Sequence, residues 1–140
     1  MLCAVSVPYR RLRPASVAPG LDIAKGYAYG VQAGNIVMIA SQVGRKPDGT
    51  PVGPDIESQT VKAFENVKAI VEEAGGTMED VVYLCAYIVD REHARTVQEV
   101  RKRYFHAPDY PAASLVVVAE ILLPGFLVEV GGMAVLRSAR

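Results

Sequence analysis

The stretch Val81–Val89, reading VVYLCAYIV, constrains this chain more than any other. Side chains alternate across a strand. Val81, Tyr83, Cys85, Tyr87 and Val89 therefore fall on one face, and Val82, Leu84, Ala86 and Ile88 on the other. Both sets are apolar, the mark of a strand covered on both sides. Leu115, Val116, Val117 and Val118 repeat the pattern. The cover must come from elsewhere in the chain or from another copy of it.

Two segments carry a helical period. Asp55 is expected to cap a helix running to about Ala74, with Val61, Phe64, Val67, Ile70 or Val71, and Ala74 on one stripe. Glu57, Lys62, Glu65 and Lys68 lie off it. Gly75-Gly76 is a stop signal, and Thr77-x-x-Asp80 reads as a capped single turn. A second amphipathic helix is expected from Arg91 to about Phe105, striped by Ala94, Val97, Val100 and Tyr104. Tyr27–Ala33 and Ile36–Gln42 read as a hairpin turning at Gly34-Asn35, followed by a polar loop at Arg45–Pro51. Ala113–Ala119 and Phe126–Leu136 are further strands, with a turn at Pro124-Gly125.

The expected order is β-β-α-β-α-β-β. This implies an α/β (α+β) fold: one mixed sheet of about five to six strands, with two helices packed on one face. The 140 residues suit one domain. Residues 1–22 hold Pro8, Pro14 and Pro19 without periodicity and read as an extended N-terminal arm, leaving 23–140 as the single domain.

Two helices cover one face of such a sheet, and no segment remains for the other. The chain is 51% apolar, and its 15 basic and 15 acidic residues cancel. An apolar patch of several hundred Å2 is unusual on a monomer (roughly 300–600 Å2 is the largest normally found). Self-association through the open face is expected, with cyclic symmetry the ordinary solution.

Zero net charge argues against a nucleic-acid partner, since phosphate neutralisation needs excess Lys and Arg. No apolar run approaches the ~18 residues of a membrane span. No basic residue precedes the apolar stretch Met1–Val7, as a signal peptide requires, so a cytoplasmic location is expected. Cys3 and Cys85 form no CxxC pair, and Cys85 reads as a buried apolar filler. His93 and His106 are too isolated to suggest a metal site, and no cofactor motif is present.

The candidates for chemistry are polar residues that interrupt apolar strands. Glu129, in Phe126-Leu-Val-Glu-Val-Gly-Gly-Met-Ala134, is foremost. A carboxylate on a face bound for burial costs several kcal/mol unless it is paired or its pKa shifts. Tyr27 and Tyr29 flank the hairpin. Gln42 reads as a structural hydrogen-bonding residue, and Arg101-Lys102-Arg103 as a solvated face.

Taken in order, several motifs resemble the reactive-intermediate (imine/enamine) deaminase family, also called YjgF-like or endoribonuclease L-PSP-like. They are Gly34-Asn35, Ser41-Gln42, Asp48-Gly49, Gln59, Glu65-Asn-Val-Lys-Ala-Ile70, Ala74-Gly75, Glu79-Asp-Val-Val82, Tyr104-Phe105, Pro111-Ala112-x-Ser114 and Leu127-Val-Glu-Val130. The resemblance covers about residues 20–136. It implies a chorismate-mutase-like fold, a homotrimer, and sites in clefts between subunits. It also implies hydrolysis of 2-imino or 2-enamino acids to 2-oxo acids and ammonia without metal or cofactor.

The resemblance gives Glu129 the role of holding or activating water. Tyr27, Ser41, Gln98, Ala113, Ser114 and Leu115 become candidate substrate-binding residues. Two departures stand out. The family's carboxylate-gripping arginine is Ala113 here, and its hairpin serine is Ala40. Losing such a clamp removes about 1.5–3 kcal/mol, or roughly one to two decades in rate or affinity. Either the substrate lacks a 2-carboxylate, or another cation such as Arg45 or Arg101 enters the cleft from a neighbouring subunit, or the chemistry differs. The expected function is a hydrolase with altered specificity. The alternative is a trimer that binds a small molecule or a partner without chemistry, and RNA cleavage is disfavoured by charge.

Overall fold

A computed structural model describes residues 8–138. The apolar run Met1–Val7, Cys3 within it, and the last two residues lie outside those described. Gly34 takes φ +61 between β2 (Gly30–Ala33) and β3 (Ile36–Val43), and Ala33 pairs with Ile36. A positive φ at the first central residue is what a two-residue hairpin loop of this kind requires. Helix α2 (Ile56–Glu73) starts at Asp55, whose side chain accepts from the Ser58 N–H at 2.8 Å. Thr77 and Asp80 form the reciprocal capping box that their spacing suggests. Strand β4 (Val81–Ile88), helix α3 (Ala94–Lys102), β5 (Ala112–Val117) and β6 (Val128–Val135) complete the expected order.

The sheet has six strands, with β1 (Tyr9–Leu12) at one end, in the order β1-β2-β3-β6-β4-β5. Only β4 and β5 run parallel, as their crossover through α3 requires. Helices α2 and α3 lie on one face. Phe64, Val67, Ile70, Val71, Val97 and Val100 pack there with Val37, Leu84, Ala86, Ile88, Val128 and Val130. This is the mixed α+β sheet with helices on one side that the sequence implies.

Three local readings are corrected. Residues 9–12 form part of the sheet rather than a separate extended arm: Tyr9 pairs with Ala33 and Leu12 with Gly30, and Leu12 is fully buried. A four-residue edge strand with one inward side chain leaves no period to detect. The stretch beyond it holds a short helix, α1 (Leu21–Lys25), whose fully buried Asp22 meets Arg13 Nε at 2.8 Å. Second, an irregularity between Val81 and Tyr83 moves Val81 to the helix face and leaves Val82 exposed, because an added residue reverses the alternation. Third, Cys85 is half-buried on the open face and is not a core filler.

The open face keeps its apolar character. Ile36, Met38, Tyr83 and Val116 are 41%, 53%, 36% and 40% exposed there. These are the residues for which the double-sided strand pattern demands cover.

Candidate functional site

The site begins with a bulge. Ile39 pairs with Gly132 and Gln42 with Val130, so Ala40 and Ser41 stand opposite Gly131 alone. A Cβ on Gly131 would lie 2.9 Å from both Cα and N of Ser41. Only glycine permits this approach, and the bulge turns Ser41 toward Glu129. Gln42 holds the distortion from within, donating to the Ala40 carbonyl at 2.8 Å, in keeping with a structural role.

The chain after the bulge is fixed against α2. Asn66 donates to the Val43 carbonyl at 3.3 Å. Gln59, fully buried, donates to the carbonyls of Gly53 and Gly125 at 2.8 and 3.0 Å and accepts from Leu127 N–H at 2.8 Å. One side chain thereby ties the 53 loop to the entry of β6. A small second core of Val43, Ile121 and Phe126 closes beneath.

Between these parts lies a cavity of about 160 Å3. Its polar lining is Lys25, Tyr27, Ser41, Arg45 and Glu129, and its apolar wall is Val43, Ile121, Leu122 and Leu123. Glu129 sits on β6 opposite Val43 and Tyr87. Burial pushes its carboxyl pKa up, and no cation offsets the effect. Its side chain makes no hydrogen bond or ion pair with any described residue. The Tyr87 phenol is also pushed up, first by its bond to Cys85 and then by burial and the Glu129 charge.

Arg45 is 5% exposed. Its Nη2 donates to the hydroxyls of Tyr27 and Tyr29 at 2.9 and 3.1 Å, and its guanidinium lies 5.6 Å from the centre of the Tyr29 ring. Tyr29 in turn donates to the Ala18 carbonyl at 2.7 Å. Burial raises the Tyr29 pKa, against the opposing pull of Arg45.

A wider groove of about 630 Å3 lies between α2, residues 77–79 and the segment after α3. Its Arg103 is committed to Glu57 at 2.7 Å and its Tyr104 to Glu65 at 2.8 Å. Its carboxylates, Glu65, Glu72 and Glu79, are all exposed whereas Glu129 is half-buried, so the smaller cavity is the better candidate.

Of the residues expected at the site, the structure gathers Tyr27, Ser41 and Glu129. Ala113, Ser114 and Leu115 lie on β5, with β4 between them and β6. Ser114 accepts from the Tyr83 hydroxyl at 3.3 Å, and Leu115 packs against the main core. Gln98 is exposed on α3 and is not part of the cavity lining, nor is Arg101. Arg45, expected from a neighbouring subunit, lines the cavity of its own chain, and Lys25 joins it. Lys25 carries no signal in the sequence, and Arg45 stands out there only as a cation that could replace the family arginine. Among the described residues no three His, Cys, Asp or Glu side chains are grouped to hold a metal. No described helix is long and apolar enough to cross a membrane.

Comparison with known proteins follows the same elements. A family model described as Endoribonuclease L-PSP matches residues 18–136. A RutC family protein of Pyrococcus abyssi is 38% identical over 80 residues, 56% of this chain and 63% of that protein, so the match spans less than two thirds of the relative. A 2-iminobutanoate/2-iminopropanoate deaminase of Salmonella typhimurium is 32% identical over 126 residues, 89% of this chain and 92% of that one. The crystal structure of RidA from an Antarctic Psychrobacter superposes with a TM-score of 0.81 at 28% identity, covering 91% of this chain and 99% of that one. Because the matched span takes in every element from α1 to β6, the cavity and its walls included, the chain belongs to the endoribonuclease L-PSP family, the YjgF- and RidA-like proteins.

Proposed function

We propose that this protein is a hydrolase of the imine/enamine deaminase type. It acts as a homotrimer on a small reactive intermediate, with specificity altered by Ala113. The observation that carries the reading is Glu129: a half-buried carboxyl with a raised pKa and no partner among the described residues, in an apolar-walled cavity. A carboxyl poised nearer neutrality both accepts and returns a proton efficiently.

A protonated imine carbon is electrophilic. Glu129 holds a water against it and takes a proton as the new C–O bond forms and the C=N π pair moves to nitrogen. The carboxyl then returns the proton to nitrogen. The C–N bond breaks as the hydroxyl collapses to a carbonyl, and the released ammonia carries off the hydroxyl proton as ammonium. One imine cation and one water become one carbonyl compound and one ammonium, with no net redox change.

The trimer supplies the remaining contacts. The apolar residues of the open face need cover, and β5 is a sheet edge with unused main-chain donors. Packing open faces together brings a neighbour's Ala113, Ser114 and Leu115 toward the cavity, where outward N–H groups of that edge bind a substrate oxygen. Gln98 is the outermost of the proposed contacts. The location is cytoplasmic on this reading.

The test mixes purified protein with freshly generated imines of several amino acids, using semicarbazide as a competing trap and 2-oxo acid and ammonia as readouts. Turnover of at least one imine is expected, falling by about 10²-fold or more in Glu129→Gln. Fast turnover of 2-iminopropanoate would sink the altered specificity. Undiminished activity in Glu129→Gln would sink the role of Glu129. The absent arginine favours a second reading, a trimer that binds a small ligand without chemistry, which predicts ligand binding with no turnover of any imine.

A further inference from the structure

We propose that Arg45 is the receptor for an anionic group of the ligand, so that the chain takes a small carboxylate gripped from the β3 side of the cavity. The word substrate here rests on the hydrolase reading above. The binding claim does not.

Three observations converge. Arg45 is a buried guanidinium, and no described carboxylate lies within ion-pair distance of it. Buried charges are ordinarily paired, so this one has an unmet demand for an anion. Its hydrogen bonds to described residues both leave from Nη2. The Nε and Nη1 donors make none, and neither is among the sealed polar atoms that lack a partner, so both retain access to open space. With Nη2 taken by the two phenols, Nε and Nη1 on opposite sides of the guanidinium each offer one charge-assisted donor to an anion.

The phenols fix how the guanidinium is presented. Tyr29 spends its proton on the Ala18 carbonyl and offers Arg45 a lone pair. Tyr27 accepts from Arg45 through its oxygen, so its own proton is free to donate into the cavity it lines. Arg45 and Tyr27 thus form a joined donor pair, with Lys25 as a second cation on the lining. Across the same cavity Glu129 bears no compensating interaction with Arg45, and burial alone shifts it. The two groups are therefore left for different parts of one ligand.

Size completes the description. About 160 Å3 is below the ~300–1,000 Å3 of pockets for drug-sized ligands. The wall of Val43, Ile121, Leu122 and Leu123 suits a short alkyl group. The ligand class is a short aliphatic carboxylate, with its carboxylate at Arg45 and its reacting carbon toward Glu129. Ala113 then changes the direction from which the anion is held and leaves the demand for an anion in place.

The test is binding of 2-oxobutanoate and of its uncharged amide, followed by calorimetry and by NMR shifts of residues 27 and 41. Wild-type protein should bind the acid about ten- to a hundredfold more tightly than the amide, the worth of one charge-assisted hydrogen bond. Arg45→Met should lose that preference. Equal binding of acid and amide by wild type overturns the proposal, as does failure of both to bind. That comparison needs no variant, so misfolding of Arg45→Met would not protect the idea. Acid preference without turnover of any imine would leave the anion receptor standing and remove the hydrolase reading. Turnover with an unchanged acid preference in folded Arg45→Met would do the reverse.

Discussion

Replacing Gln59 with leucine should loosen the molecule more than any other single polar-to-apolar change on α2. Leucine nearly fills the volume, so packing is conserved and the polar loss is isolated. Three hydrogen bonds of 2.8, 3.0 and 2.8 Å disappear. The carbonyls of Gly53 and Gly125 and the Leu127 N–H lose their partner around a site that is fully buried at Gln59. At a net ~0.5–1.5 kcal/mol each, the loss is about 3 kcal/mol, or roughly 6–12 °C in Tm for a chain of this size. Urea unfolding at fixed protein concentration measures it, since association would otherwise shift the midpoint. Gln32→Leu, which loses one exposed bond to the Gly34 carbonyl, is the control and should cost less than about 0.5 kcal/mol. If Gln59→Leu costs under 1 kcal/mol, the bridge between α2 and the entry of β6 is not what holds the cavity floor, and the local account is wrong.

Three further outcomes are expected. Burial raises the folded-state pKa of Glu129, so its stabilising contribution is complete below the unfolded carboxylate range near ~4.3 and is lost as pH rises through the raised value. Glu129→Gln should therefore melt higher than wild type at pH 7–8 and equally at pH 4, and a reversed trend in thermal melts would refute the desolvation. At Asp80 burial works upward, but the bonds from Arg137 and from Thr77 N–H prevail and hold the carboxyl below its usual range. Its contribution is present above the unfolded pKa and lost as pH falls through the lowered one. Asp80→Asn should cost about 1–2 kcal/mol at pH 7 in urea titrations, a gap that closes in acid. Gly131→Ala should disrupt the bulge, because the new Cβ meets backbone atoms of Ser41 and Ile39 at 2.9 Å. A soluble variant with unchanged NMR shifts at Ser41 would show that the bulge does not depend on that glycine.

How much of this was legible in the sequence depends on whether a residue announces itself locally. Helix α2 was readable because its stripe, its aspartate cap and its glycine stop agree. Its buried Gln59, Thr60 and Asn66 were not, since polar residues on an apolar stripe reveal their role only when the loops they satisfy are seen. Strand β1 was hidden by its length. Glu129 was readable as a lone carboxylate in an apolar strand. Arg45 carried no comparable contrast, because its loop is polar throughout and only tertiary packing buries it. Ala113 to Leu115 belong, on the resemblance, to a cleft shared between subunits, and within one chain β4 separates them from β6. Periodicity assigns residues to faces of a sheet and calls for cover, but does not say which residues of a neighbouring copy supply it.

The role of Glu129 is decided by the pH profile of kcat/KM for imine hydrolysis by wild type and by Glu129→Gln. Wild type should gain activity with rising pH through an inflection above the ordinary carboxylate range, as burial of Glu129 requires. The variant should lose the inflection and about 10²-fold or more of the rate. A variant with the same inflection and comparable rate would show that another group activates the water.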